Sequence, residues 1–178
     1  MAEWRKHVEV LYSAERIEAR VRELGEQITQ DFAGETVMLV GVLKGCFVFY
    51  SDLARAIDLP MNNDFIGISS YGDNTESSGV VQLTTDLSLN IQDQNVILVE
   101  DIVDTGLSMR YLIENLSTRK PTSLSVCTLL DKPDNRRVEV PIDYKGFEIP
   151  NEFVVGYGLD YANVYRNLPF IGVYRGPT

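Results

Sequence analysis

The chain has 178 residues, enough for one domain to bury roughly 70% of its unfolded surface with no disulfide or metal staple. Hydrophobic residues make up 44% and charged residues 24%, which argues against intrinsic disorder. With 16 Lys and Arg against 26 Asp and Glu the formal charge is −10, so broad electrostatic attraction to nucleic acid or to anionic lipid is disfavoured.

Met1 to His7 is polar and lacks the apolar stretch of a signal peptide. The longest apolar candidate, Val37 to Tyr50, is cut by Gly41, Lys44 and Gly45, so no membrane span is expected. Ser13 is positioned as an N-cap. Ile17, Val21, Leu24, Ile28 and Phe32 follow it as one helical stripe, and Gly34 ends the segment. Thr36 to Leu43 reads as a buried strand, Lys44-Gly45 as a turn, and Cys46 to Ile57 as a helix stopped before Pro60. Asp64 to Tyr71 reads as a strand. Gly72 to Gly79 is polar and Gly-bounded, and is expected to be a mobile loop. Val80 to Leu87 reads as a strand, and Asn95 to Val99 as a short strand buried on both faces.

Glu100 to Thr105 follows that strand, and Gly106 to Leu116 reads as a helix. Ser123 to Leu130 is a further buried strand, Asp131 to Ile149 a mostly polar loop, and Phe153 to Tyr157 and Phe170 to Tyr174 late short strands. Strands alternating with helices indicate an α/β fold with a mainly parallel sheet. Cys46 and Cys127, the two cysteines, read as free thiols in a reducing compartment, although sequence leaves a disulfide between them open. The charges of Asp134-Asn135-Arg136-Arg137 and of Arg119-Lys120 read as solvated loop residues, and His7 as surface.

The most informative stretch is Val96-Ile-Leu-Val-Glu-Asp-Ile-Val-Asp-Thr-Gly-Leu-Ser-Met109. Ligands of an open parallel sheet bind beyond the carboxyl ends of its strands, where this stretch falls. Amides from Asp104 to Ser108 would open the next helix and attract phosphate through unpaired donors and the helix dipole. Gly106 permits close approach, and Thr105 and Ser108 add hydroxyl donors. The adjacent acids Glu100 and Asp101 can accept hydrogen bonds from a diol. Phosphate cradle and diol acceptor side by side describe a site for a ribose 5-phosphate.

The segment Leu98-Val-Glu-Asp-Ile-Val-Asp-Thr-Gly106 resembles the phosphoribosyl pyrophosphate motif of the purine phosphoribosyltransferases. The resemblance is narrowest to the hypoxanthine-guanine phosphoribosyltransferase family, because Val42-Leu-Lys-Gly45, Ser69-Ser-Tyr71, Leu129-Leu-Asp-Lys132 and Phe153 to Tyr161 with Arg166 follow in matching order. It implies a Rossmann-like, mainly parallel sheet flanked by helices, with a small hood formed by terminal segments, in a single domain over 1–178 with an active-site loop near 70–80.

It also implies roles. Glu100 and Asp101 would hold the ribose hydroxyls. Asp104, near purine N7, would be the general acid/base. Asp104, Thr105, Gly106, Leu107 and Ser108 would bind the 5-phosphate. Lys44, Gly45 and Arg166 would contact pyrophosphate, with a cis peptide bond at Lys44-Gly45. Lys132, Phe153 and Val154 would bind the purine, Lys132 through its 6-oxo group and Phe153 by stacking. Ser70 and Tyr71 would begin a lid. Mg²⁺ would be the cofactor, with Glu100, Asp101 and Asp160 as its carboxylates.

The implied reaction transfers the phosphoribosyl group of phosphoribosyl pyrophosphate to hypoxanthine, and to guanine, giving IMP or GMP and pyrophosphate. The implied assembly is a homodimer or homotetramer in the cytoplasm, binding no nucleic acid and no membrane. A phosphoribosyltransferase for another base such as xanthine, or a non-catalytic regulatory protein on this fold, are the competing readings. Taken singly, Lys44-Gly45 is an ordinary turn, Phe153 a core residue, and Lys132 and Arg166 surface cations; their order along the chain is what gives them weight. One departure stands out: Leu107 occupies a position where many relatives carry a polar or basic residue.

Overall fold

A helix opens the main body because Ser13 caps it: its hydroxyl accepts the Arg16 amide at 3.3 Å, and α1 runs over Ala14–Asp31. This is seen in a computed structural model that describes residues 3–70 and 81–177. The stripe Ile17, Val21, Leu24 and Ile28 is buried along α1. The remaining elements are β1 (Val8–Tyr12), β2 (Val37–Leu43), α2 (Phe47–Ala56), β3 (Met61–Ser70), β4 (Val81–Thr85), β5 (Asn95–Val103), α3 (Leu107–Ser117), β6 (Ser123–Asp131), β7 (Tyr144–Glu148), β8 (Val154–Val155) and β9 (Ile171–Tyr174).

Six strands form the main sheet in the order β4-β3-β2-β5-β6-β7. All neighbouring pairs are parallel except β3 with β4, which is antiparallel at one edge. The apolar runs have no obvious alternation because both faces are covered. Alternation is nevertheless present. Val37, Leu39, Ile97, Val99, Cys127 and Leu129 pack with α1 and α2, whereas Met38, Val40, Val42, Val96, Leu98 and Val126 pack with α3. A Cβ on Gly25 would overlap Ala56, so the two helices on the first face approach closely only with glycine there. A second sheet, β1-β9-β8, is antiparallel and forms the hood from the two chain ends.

Two sequence expectations change, and one strand forms that the sequence leaves unassigned. The unassigned strand is β1, which directly follows the polar start Met1 to His7. It is an edge strand of the hood whose Val10 is exposed, so burial gives it little sequence signal. β5 does not stop at Val99: it pairs with β6 through Val103↔Asp131, so Glu100 and Asp101 are strand residues rather than loop residues. The stretch 131–149 contains β7, whose Gly146 is required because a Cβ would overlap the Leu129 carbonyl. The guanidinium of Arg20 caps this edge, donating to the carbonyls of Lys145 at 2.6 Å and Gly146 at 3.0 Å. The cysteines are free, as expected, and buried. The loop expected at Gly72 to Gly79 lies outside the described residues. Among the described residues no helix is long and apolar enough to cross a membrane.

Candidate active site

Because β2, β5 and β6 are parallel, their carboxyl ends deliver Lys44-Gly45, Asp104 and Lys132 to one rim of the sheet. This is the rim at which open α/β sheets bind ligands. Glu100 is buried and Asp101 half-buried. Glu100 accepts the Asp101 amide at 3.2 Å and Asp101 accepts the Ile102 amide at 2.9 Å. Burial pushes the Glu100 carboxyl well above the ordinary range, and the neighbouring Asp101 charge adds to this. Burial likewise raises Asp101, against the opposing pull of local hydrogen bonds and Arg166. Two acids kept at such a cost, with few protein donors, suit a ligand that supplies hydroxyls or a cation. Cys46 beneath them is inert: burial, with both acids nearby, pushes its thiol up.

Close packing fastens the pyrophosphate candidates to the acid pair. A Cβ on Gly45 would collide with the Asp101 carboxylate, and a Cβ on Gly158 would collide with the Gly45 carbonyl. Arg166 donates to the Gly158 carbonyl at 2.7 Å and pairs with Asp160 at 2.6 Å. Lys44-Gly45, Asp101, Asp160 and Arg166 are thus brought together in one wall. The cis peptide bond of this turn lies between Leu43 and Lys44, one residue before the expected Lys44-Gly45 bond.

Asp104 lies on the other side of the acids. Its Oδ1 accepts Nδ2 of Asn135 at 2.5 Å, and its Oδ2 lies 3.6 Å from Nζ of Lys132. Lys132 is buried, and its amide donates to the Val103 carbonyl at 3.0 Å. Gly106 has φ +84 and caps α3 without a side chain, so the first-turn amides beyond Leu107 receive no bond from the cap. Its Cβ would overlap the Val138 carbonyl, so glycine is needed on both counts. Glu100, Asp104, Thr105, Gly106 and Ser108 line a hollow of about 90 Å³ here. The Leu107 amide donates to the Thr105 hydroxyl oxygen at 3.4 Å.

The purine candidates are split. Lys132 belongs to the main sheet, whereas Phe153 and Val154 belong to the hood. Phe153 is 52% exposed and meets Tyr161 and Tyr174 edge-on at 5.7 and 6.4 Å. Val154 is buried and pairs with Val173. Ser70 ends β3, and Tyr71 lies outside the described residues. A larger groove of about 790 Å³ between α1, α2 and 157–169 touches Arg166 but is lined by neither the acid pair nor Asp104.

Two expectations at the site need correction. Asn135 and Arg136 were read as solvated. Asn135 bonds Asp104, and the Arg136 side chain is only 9% exposed, paired with buried Asp131 and 3.4 Å from the Val103 carbonyl. An Asp-Asn-Arg-Arg run looks like a surface turn in isolation. The available signal was Pro133, which starts a short 3₁₀ turn directly after Lys132. By contrast Asp134 and Arg137 are exposed, as read.

Comparison with known proteins agrees with this fold. The phosphoribosyl transferase domain model matches residues 7–162. A hypoxanthine-guanine phosphoribosyltransferase of Mycobacterium avium is 53% identical over 169 residues, covering 92% of this chain and 83% of that protein. One from Dictyostelium discoideum is 49% identical over 168 residues, covering 92% and 93%. Among solved structures, a hypoxanthine phosphoribosyltransferase from Staphylococcus aureus superposes with a TM-score of 0.92 at 45% identity, covering 96% of this chain and 94% of that one. A mainly parallel α/β sheet flanked by helices, with a terminal hood, is the type I phosphoribosyltransferase arrangement. The chain belongs to the phosphoribosyltransferase family, and its similarity within that family is to the hypoxanthine-guanine enzymes.

Proposed function

We propose that this chain transfers the phosphoribosyl group of phosphoribosyl pyrophosphate to hypoxanthine, and to guanine, in purine salvage. The observation that carries the reading is the convergence on one rim of the Glu100-Asp101 pair, the 104–108 loop and Lys132, the last 3.6 Å from Asp104. In the reaction the N9 lone pair of the purine attacks C1 of the ribose. The bond from C1 to the pyrophosphate oxygen breaks with its electrons leaving on pyrophosphate, and the N7 proton passes to Asp104. Positive charge grows on the sugar in an oxocarbenium-like transition state, so carboxylates around it lower the barrier. Lys44 and Arg166 balance charge on the leaving group, the 104–108 amides grip the 5-phosphate, and Lys132 donates to the 6-oxo group. That donation disfavours adenine, whose 6-amino group is itself a donor. Phe153 stacks on the base, Val154 offers backbone groups to its edge, and Ser70-Tyr71 begin the lid.

Mg²⁺ is the proposed cofactor. Among the described residues no set of three or more His, Cys, Asp or Glu side chains forms a ready cage. Glu100 and Asp101 nevertheless fit the ion, which commonly uses one or two carboxylates and completes its shell with water and substrate phosphate. Asp160, held by Arg166, would be reached through water. When bound, Mg²⁺ supplies neutralisation of the pyrophosphate oxygens. Assembly as a homodimer or homotetramer in the cytoplasm belongs to the same reading.

The test is a spectrophotometric assay with phosphoribosyl pyrophosphate, Mg²⁺ and each purine in turn. Turnover is expected with hypoxanthine and guanine, abolished by EDTA and restored by Mg²⁺. No product from any 6-oxopurine overturns the assignment, and full turnover in EDTA overturns the metal.

A further inference from the structure

We infer that Asn135 is a positioning residue for the reaction, holding the Asp104 carboxylate so that one defined oxygen meets the purine. The inference rests on the proposed general acid/base role of Asp104.

Asp104 has two neighbours of different kinds. Lys132 lies 3.6 Å from Oδ2, too far for a hydrogen bond, and acts there only as a nearby charge. Asn135 donates to Oδ1 at 2.5 Å and, among the described residues, is the side chain that hydrogen-bonds this carboxylate. The distinction matters once substrate arrives. Lys132 has the purine 6-oxo group as its proposed partner, so its ammonium turns from Asp104 to the base. Asn135 has no such second duty. Its amide carries no removable proton at working pH, so it occupies Oδ1 without competing for the proton that leaves N7. Oδ2 is left as the acceptor.

The backbone around Asn135 is built to deliver that amide. The turn Pro133–Asn135 closes with the Asn135 amide 3.3 Å from the Lys132 carbonyl and the Arg136 amide 3.0 Å from the Pro133 carbonyl. Before Asp104, the Val103 carbonyl accepts the Lys132 amide at 3.0 Å and the Arg136 guanidinium at 3.4 Å. After it, the Thr105 carbonyl accepts the amides of Arg137 and Val138 at 2.9 and 3.1 Å. Arg136 is anchored by Asp131, which Lys145 also holds at 2.5 Å. A Cβ on Gly106 would come 3.1 Å from Cδ of Arg136, so the phosphate loop rests on this side chain. The turn therefore braces the Asp104 loop on both sides, and Asn135 reaches across the middle.

The test is rapid-quench, single-turnover nucleotide formation at saturating phosphoribosyl pyrophosphate and hypoxanthine, which separates chemistry from product release. Asn135→Leu keeps the shape and removes the donor. Its single-turnover rate is expected to fall about tenfold or more, the size of a hydrogen bond to a charged group, while the KM values of both substrates stay within about twofold of wild type. Asn135→Asp, nearly isosteric but facing Asp104 with a like charge, is expected to lose at least as much. Asn135→Ser, which keeps a short donor, is expected to fall between Leu and wild type. An unchanged rate in the Leu and Asp variants, or a rise in KM with the rate intact, overturns the inference. Inactive wild-type protein would instead overturn the proposed function, so the two failures are distinguishable.

Discussion

Asp104 is flanked by a neutral donor and a buried ammonium, whereas Glu100 and Asp101, four and three residues earlier, share a burial that raises both carboxyls. Environment thus separates acids that the sequence sets side by side, and the proposed roles follow that division: the pair for the sugar, the single residue for the proton. Replacing Asp104 by Asn keeps its size and removes the proton acceptor. Asp104→Asn is expected to fold with an unchanged circular dichroism spectrum and to lose about 10²–10⁴-fold in single-turnover rate. A near wild-type rate would remove Asp104 from its role. The residue types and their spacing made this cluster legible, because three acids in five positions before a Thr-Gly turn have few purely structural uses. Asn135 was not legible. Nothing in Asp-Asn-Arg-Arg distinguishes a solvated turn from one folded under a neighbouring loop, and only the position of β6 beside β5 decides between them.

Periodicity made the helices and central strands readable, since a stripe at spacings of 3 and 4 or an unbroken apolar run reports burial directly. Where an element's length depends on its neighbour the reading fell short. β5 continues past Val99 because β6 runs alongside to Asp131 and pairs its polar end, and β7 forms because β6 offers it an edge. A similar tertiary fastening joins β3 to the segment after β4. Asp64 is buried and accepts the amides of Phe65, Ser88 and Leu89 at 2.8, 2.7 and 2.8 Å, and the Ser88 hydroxyl also donates to it. Burial alone would raise this carboxyl, but the three amides and the hydroxyl hold it below its usual range.

A depressed folded value means that the ionised form stabilises the fold at pH above the unfolded value of about 3.9, and that this is lost as pH falls through the lowered folded value. Asp64→Asn, which cannot satisfy the same donors, is expected to cost about 1–3 kcal/mol at pH 7 by urea unfolding. The gap from wild type should narrow in acid. A gap that stays constant down to the acid transition would show that the charge is not what fastens the segment.

At the scale of the molecule, the site is divided between two sheets that share no strand. The main sheet carries the acids, the phosphate loop and Lys132; the hood carries Phe153 and Val154. On the proposed site assignment, a ligand of sugar and phosphate alone would touch the first, whereas a whole nucleotide would bridge both. Phe153 is half exposed, and among the described residues its ring contacts are edge-on, with Tyr161 and Tyr174, so removing it should cost the empty fold little. Binding to the native state raises the melting temperature in proportion to the logarithm of ligand concentration over Kd. At equal concentration, IMP is therefore expected to raise the melting temperature more than ribose 5-phosphate does. Phe153→Ala should remove about 1–3 kcal/mol of stacking, drawing the IMP shift down towards that of ribose 5-phosphate while leaving the latter unchanged. If the variant lost both shifts equally, Phe153 would be acting on the main sheet rather than on the base. If it lost neither, the purine would lie away from the hood, and the division of the site between the two sheets would not be what recognises the nucleotide.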